Sequence, residues 1–103
     1  MKEVVLLAGT RAEAVRIAPV ALALTDHPVL RPVVVHSGQG VVGAALRAFG
    51  LFADVALDVP RATDGEAELA AHLLAGLDRV LGRREASVVL VQGDSTTALA
   101  GAL

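Results

Sequence analysis

Apolar, β-branched runs alternate with helical patterns along 103 residues, and that order predicts an α/β domain: a parallel sheet with flanking helices and right-handed crossovers. Two further observations support this. The run at 87–91 is near-continuously apolar, as a strand covered on both faces should be. Glycines stand where strands turn into helices, at Gly9, at Gly38 and Gly40, and at Gly93.

The elements follow in order. Residues 4–8 read as the first strand. Residues 11 to about 25 read as the first helix, with Ala14, Ile17, Ala18, Ala21 and Leu22 at core-facing spacing. Thr10 and Glu13 have the spacing of a capping box at its start. Pro19 inside it is expected to kink it or force a loose turn. Asp26-His27-Pro28 ends it, because a residue before proline avoids the helical region.

Residues 32–36 form the second strand, 37–40 a glycine-rich turn, and a second helix runs to about Phe49 with Gly50 as its C-cap. Residues 54–59 alternate and fit a short third strand, with 60–65 as loop. A helix over 66–82 places Leu69, Leu73, Leu77, Val80 and Leu81 on one side. After the fourth strand, Gly93-Asp94-Ser95 turns into a last helix that stops at Leu103 without a polar stop signal, which points to a fragment of a larger fold.

Composition narrows the function. The chain is 54% hydrophobic and 2% aromatic, so its interior is built from Ala, Val and Leu. A mean hydropathy of +0.63 is high for so small a domain and predicts apolar area left for missing chain or a partner subunit to bury. A net charge of −2 without a basic run argues against nucleic acid. The absence of cysteine excludes disulfides and thiolate metal sites and agrees with a reducing cytoplasm. Five apolar residues before Gly9-Thr10-Arg11 are too few for a signal peptide or membrane span, so a soluble cytoplasmic protein is expected.

In an open parallel sheet, ligands bind beyond the carboxyl ends of the strands, at the point where crossovers diverge. The usual order 3-2-1-4 sets strands one and four side by side there. Gly9-Thr10-Arg11 and Gly93-Asp94-Ser95 would then form two lips of one crevice. An arginine beside free amides and a positive dipole end favours an anion such as phosphate, and a facing carboxylate can move a proton. Arg11 also reads as a solvated first-turn residue, and Asp94 as a helix N-cap.

A competing motif, Gly38-Gln39-Gly40-Val41-Val42-Gly43, is a literal G-x-G-x-x-G between a strand and a helix, with Asp58 about twenty residues on where a ribose-binding acid would stand. It follows the second strand, whereas a dinucleotide fingerprint follows the first. His36 ends a strand on the ligand edge and is placed to approach a substrate; with His27 and His72 it shows no metal-like spacing. Glu66 and Glu68 open a helix, where acids complement the dipole.

Taken together, Gly9-Thr10-Arg11-Ala12-Glu13-Ala14-Val15-Arg16-Ile17-Ala18-Pro19, Ser37-Gly38-Gln39 and Val89-Leu90-Val91-Gln92-Gly93-Asp94-Ser95-Thr96-Thr97 resemble the non-hydrolysing UDP-N-acetylglucosamine 2-epimerases. The resemblance covers the whole chain and implies a Rossmann-like sheet, part of the N-terminal domain of a GT-B-type two-domain fold whose C-terminal domain is absent here. It implies interconversion of UDP-GlcNAc and UDP-ManNAc, for cell-surface polysaccharide precursors, by elimination and re-addition of UDP. No metal or redox cofactor is implied; the intact enzyme is expected to be a homodimer with no nucleic-acid or membrane partner.

By the same resemblance Arg11 contacts the nucleotide sugar, Arg16 stands where the family usually has lysine, and Asp94 is implicated in proton transfer. Gln39 matches a Gly-Gln-His loop associated with an allosteric nucleotide sugar, although Gly40 and Val41 replace the histidine and arginine that follow. Those replacements are what create the G-x-G-x-x-G. Ala12 replaces a proline and Gln92 a common histidine. The family's other catalytic glutamates, its catalytic histidine and most uridine contacts fall beyond Leu103, so the chain alone is expected to be inactive. The alternatives are an NAD(P)-binding domain using residues 38–43, a hydrolysing relative, and a non-catalytic half-domain.

Overall fold

The computed structural model describes residues 2–37, 40–57, 65–93 and 95–103. The elements are β1 (Lys2–Ala8), α1 (Arg11–Thr25), β2 (Leu30–His36), α2 (Gly40–Ala48), β3 (Val55–Ala56), α3 (Glu66–Gly82), β4 (Ala86–Leu90) and α4 (Thr96–Ala102). The strands form one parallel sheet in the order β3-β2-β1-β4, so β1 and β4 adjoin at the expected switch point.

Strand periodicity splits the core in two. Val4, Leu6, Ala8 and Val34 face Ala14, Ile17 and Ala21 of α1 with Val42 and Leu46 of α2. Val5, Leu7, Val33 and Val35 face Leu73 and Leu77 of α3 with Ala100 of α4. Each fully buried Leu or Ile contributes about 1.5–3 kcal/mol relative to exposure. With only two phenylalanines in the chain, and both exposed, aliphatic packing carries the core.

Some expectations need correction. The α1 helix runs continuously through Pro19, so no loose turn forms there; Pro19 is exposed, as is Val15, whose carbonyl loses its helical donor. Leu22 is 46% exposed, and Leu24 packs on the core instead, because the inward stripe through Ile17 and Ala21 continues to Leu24 at helical spacing. The β1 strand starts at Lys2, whose N–H donates to Val29 at 2.9 Å, although two charged residues masked this from hydropathy. Glu3 there bridges Arg31 at 3.2 Å and Arg84 at 3.4 Å.

Pro32 sits inside β2 without cost for a topological reason. Val34 turns its backbone toward β3, exchanging bonds with Asp54: Asp54 N–H to the Val34 carbonyl at 2.8 Å, and Val34 N–H to Asp54 Oδ2 at 2.7 Å. Pro32, two residues earlier, faces the same way, beyond the reach of β3, which pairs only with Val35 and His36. The expected third strand is two residues long here; positions 58–64, including the expected loop, lie outside the described residues. The α2 helix ends as expected at Gly50, with φ of 74° and the paired bonds Leu51 N–H to Leu46 and Gly50 N–H to Arg47.

The fourth strand is not covered on both faces as its apolar run suggests: β4 is an edge of the sheet, and its Val88 (52% exposed) and Leu90 stand open, as do Leu99 and Leu103. This is the apolar area that the hydropathy predicts. No helix among the described residues is long and apolar enough to cross a membrane.

Candidate functional site

The carboxyl ends of β1, β2 and β4 converge on the start of α1. Thr10, with extended backbone, caps that helix: its Oγ1 accepts the Glu13 N–H at 3.1 Å and its carbonyl accepts the Ala14 N–H at 3.0 Å. The other half of a capping box would return Glu13 to the Thr10 amide. Instead Glu13 reaches one residue further, and its Oε1 accepts the Gly9 N–H at 2.8 Å.

Glu13 is only 4% exposed because it lies beneath the β4–α4 turn. A Cβ on Gly93, whose φ is +91°, would stand 2.8 Å from Glu13 Oε2. From the other side α4 presses on the β1–α1 turn: a Cβ on Gly9 would fall 2.1 Å from Thr97 Oγ1, and Thr97 is itself buried. Ser37, at the end of β2, adds a third tie, its N–H to the Ala8 carbonyl at 3.2 Å and its Oγ to the Gly9 carbonyl at 3.5 Å. The two expected lips are therefore interlocked.

Arg11 opens α1 and Arg16 follows just over a turn later; both are exposed, and neither forms an ion pair among the described residues. Among the described residues the Arg11 and Ala12 amides have no acceptor, and they lie beside the positive end of the helix dipole. The cap of α4 is Ser95, which accepts the Ala98 N–H at 3.1 Å, so the capping role open to Asp94 falls to its neighbour. Asp94 itself and Gln39 lie outside the described residues, as do Gly38 and Asp58 of the glycine motif. At the described end of that motif, Gly40 starts α2 with open space around it.

The histidines have structural duties. His36 is 8% exposed and turned toward α2, its Nε2 3.7 Å from where a Gly43 Cβ would be. Burial, and then the Arg47 guanidinium, hold its imidazole pKa below the usual value. His27 Nδ1 accepts the Val29 and Leu30 amides at 3.1 and 2.9 Å, shaping the turn into β2. His72 sits 4.0 Å from Glu68 along α3. No cluster of three metal-ligating side chains occurs among the described residues.

Two contacts were not legible beforehand. Glu66 accepts a hydrogen bond from Thr96 Oγ1, joining the starts of α3 and α4, beyond the dipole role its position suggested. Glu13 looked like an ordinary capping acid; nothing in its spacing signalled the contact with Gly93. A groove of about 790 Å³ lies elsewhere, along the end of α3 near Glu3, Arg79 and Arg83, away from the meeting of Gly9 and Gly93.

A parallel sheet in this order, with its strand-end turns gathered around an arginine-bearing helix start, defines a Rossmann-like class of domain. The profile of the family described as UDP-N-acetylglucosamine 2-epimerase matches residues 22–103. The chain belongs to that family. It is 37% identical over 97 residues to the UDP-N-acetylglucosamine 2-epimerase of Yersinia pestis, covering 92% of this chain and 26% of that protein. The Escherichia coli K12 enzyme of the same name is 34% identical over the same shares.

Among solved structures, UDP-GlcNAc 2-epimerase from Neisseria meningitidis bound to UDP-GlcNAc superposes with a TM-score of 0.87 at 31% identity, covering 98% of this chain and 28% of that one. The S. aureus MnaA–UDP co-structure gives 0.89 at 29% identity, covering 98% and 27%. The chain thus spans about a quarter of the length of its relatives, and its fold is the Rossmann-like N-terminal portion of their GT-B-like architecture.

Proposed function

We propose that this chain is the first part of the N-terminal domain of a two-domain UDP-N-acetylglucosamine 2-epimerase, and supplies one wall of its sugar-nucleotide cleft. The observation that carries this is the interlock of Gly9 with Thr97 and of Glu13 with Gly93, which sets the Arg11 helix start beside the turn leading to Asp94. Relatives crystallised with UDP-GlcNAc and with UDP share this fold at about 30% identity, which supports the same ligand class here.

In the proposed reaction a proton leaves C2 of the sugar and the C1–O bond to UDP breaks, giving a 2-acetamidoglucal. UDP then adds back to C1 while a proton returns to the opposite face of C2, which converts UDP-GlcNAc to UDP-ManNAc. Arg11 and Arg16 neutralise the departing pyrophosphate, and Asp94 takes part in the proton transfers. The chemistry needs no metal or redox cofactor. The remaining acids come from sequence outside this chain, so the chain alone does not turn over substrate. The working enzyme is a cytoplasmic homodimer.

Incubating the whole protein with UDP-GlcNAc and separating the products tests this reading. It predicts UDP-ManNAc. Release of UDP with free N-acetylmannosamine would assign a hydrolysing enzyme instead, and no conversion at all would overturn it.

A further inference from the structure

We propose that Glu13 is a positioning residue that holds the two lips of the cleft in register; its catalytic consequence rests on the epimerase reading above. Capping does not account for its placement. Thr10 already satisfies the cap at 3.1 Å, and a carboxyl needed only for the helix dipole would sit in water, where burial costs nothing. Glu13 is instead 4% exposed, with each oxygen set against a different turn.

Its Oε1 holds the Gly9 amide at 2.8 Å, immediately before the helix start that carries Arg11. Its Oε2 fills the place where any side chain at Gly93 would begin, 2.8 Å from that Cβ position. The positive φ of Gly93 and the missing Cβ therefore serve one purpose: they let the β4–α4 turn close over the Glu13 carboxyl. A single side chain of α1 thus sets the distance between the β1 and β4 turns. Elimination requires the group that stabilises the leaving pyrophosphate and the group that moves the C2 proton to act on one sugar together. Misplacing either by about 1 Å is enough to cost on the order of 100-fold in rate.

The test uses the whole protein with Glu13→Ala, Glu13→Gln, Gly93→Ala and the Glu13→Ala/Gly93→Ala double variant. Glu13→Ala is expected to lower kcat roughly 10- to 100-fold while KM for UDP-GlcNAc changes little. Glu13→Gln, whose amide oxygen can still accept the Gly9 N–H, is expected to recover most of that loss. A folded Glu13→Ala enzyme with wild-type kcat overturns the proposal, and so does a rate loss that only tracks the folded fraction seen in thermal melts.

The stability cycle is independent of turnover. Gly93→Ala should lower Tm more in the wild-type background than in Glu13→Ala, because removing the carboxyl makes room for the methyl. Additive Tm losses overturn the interlock even if the enzyme epimerises. If wild type forms no UDP-ManNAc, the epimerase reading fails, and the Tm cycle alone decides whether Glu13 holds the two turns together.

Discussion

Gly9 and Thr97 approach so closely that a methyl at position 9 would stand 2.1 Å from the threonine Oγ1 and 2.3 Å from its Cβ. Both residues are at the hub of the molecule: Gly9 leads from the central strand into α1, and Thr97 is in the first turn of α4. The contact joins two helices that pack on opposite faces of the sheet.

Gly9→Ala therefore cannot be absorbed by a flexible side chain, since Thr97 is branched at Cβ and buried. Overpacking of this kind costs about 1–3 kcal/mol. Urea unfolding of the whole protein should show that loss. A second substitution, Thr97→Gly, removes the Oγ1, the Cγ2 and the Cβ itself, so Gly9→Ala should cost less in that background than in wild type.

Arg11→Ala should weaken UDP binding by about 1.5–3 kcal/mol, the range for hydrogen bonds to charged groups. Arg11→Lys should recover only part, because an ammonium cannot bind phosphate in a bidentate way. Calorimetric titration with UDP measures both. Equal affinity in all three proteins would remove Arg11 from the binding surface.

Asp94→Asn should reduce interconversion by roughly 10²- to 10⁴-fold, the usual worth of a positioned acid–base group, and leave UDP affinity near wild type. Steady-state kinetics beside a UDP titration separate the two effects. Unchanged turnover takes Asp94 off the list of proton-transferring groups.

His36 gives a pH dependence of definite sign. Its folded pKa lies below the 6.5 of an unperturbed imidazole, because burial and then Arg47 disfavour the cation. Well above that pH both folded and unfolded chains carry a neutral ring. As pH falls through about 6.5 the unfolded chain takes up a proton that the folded chain resists, so stability drops, and it goes on dropping until the folded form protonates too. Tm measured from pH 8 to pH 5 should fall less steeply in His36→Gln than in wild type.

Much of this architecture could be read in advance, because the signals were local. The bounds of α1 and α3 followed from a cap, a proline and an apolar stripe, and the strand order is the usual one for an open parallel sheet of this kind. What local pattern could not show was long-range. Pro19 looked disruptive because sequence does not tell which side of the helix is wet. Leu22 and Leu24 compete for one stripe, and only the packed sheet decides between them. The site was legible as two glycine turns facing across a switch point. Glu13 was not, because its capping spacing conceals that its second oxygen is committed to a turn 80 residues away.

The most direct measurement runs the whole protein on UDP-GlcNAc in deuterium oxide and follows the C2 position by NMR. If UDP leaves and returns through a glucal intermediate, the UDP-ManNAc formed carries deuterium at C2, and label also enters recovered UDP-GlcNAc as the reaction reverses. UDP-ManNAc formed with its original C2 hydrogen would contradict the account, because that proton would never have left the sugar.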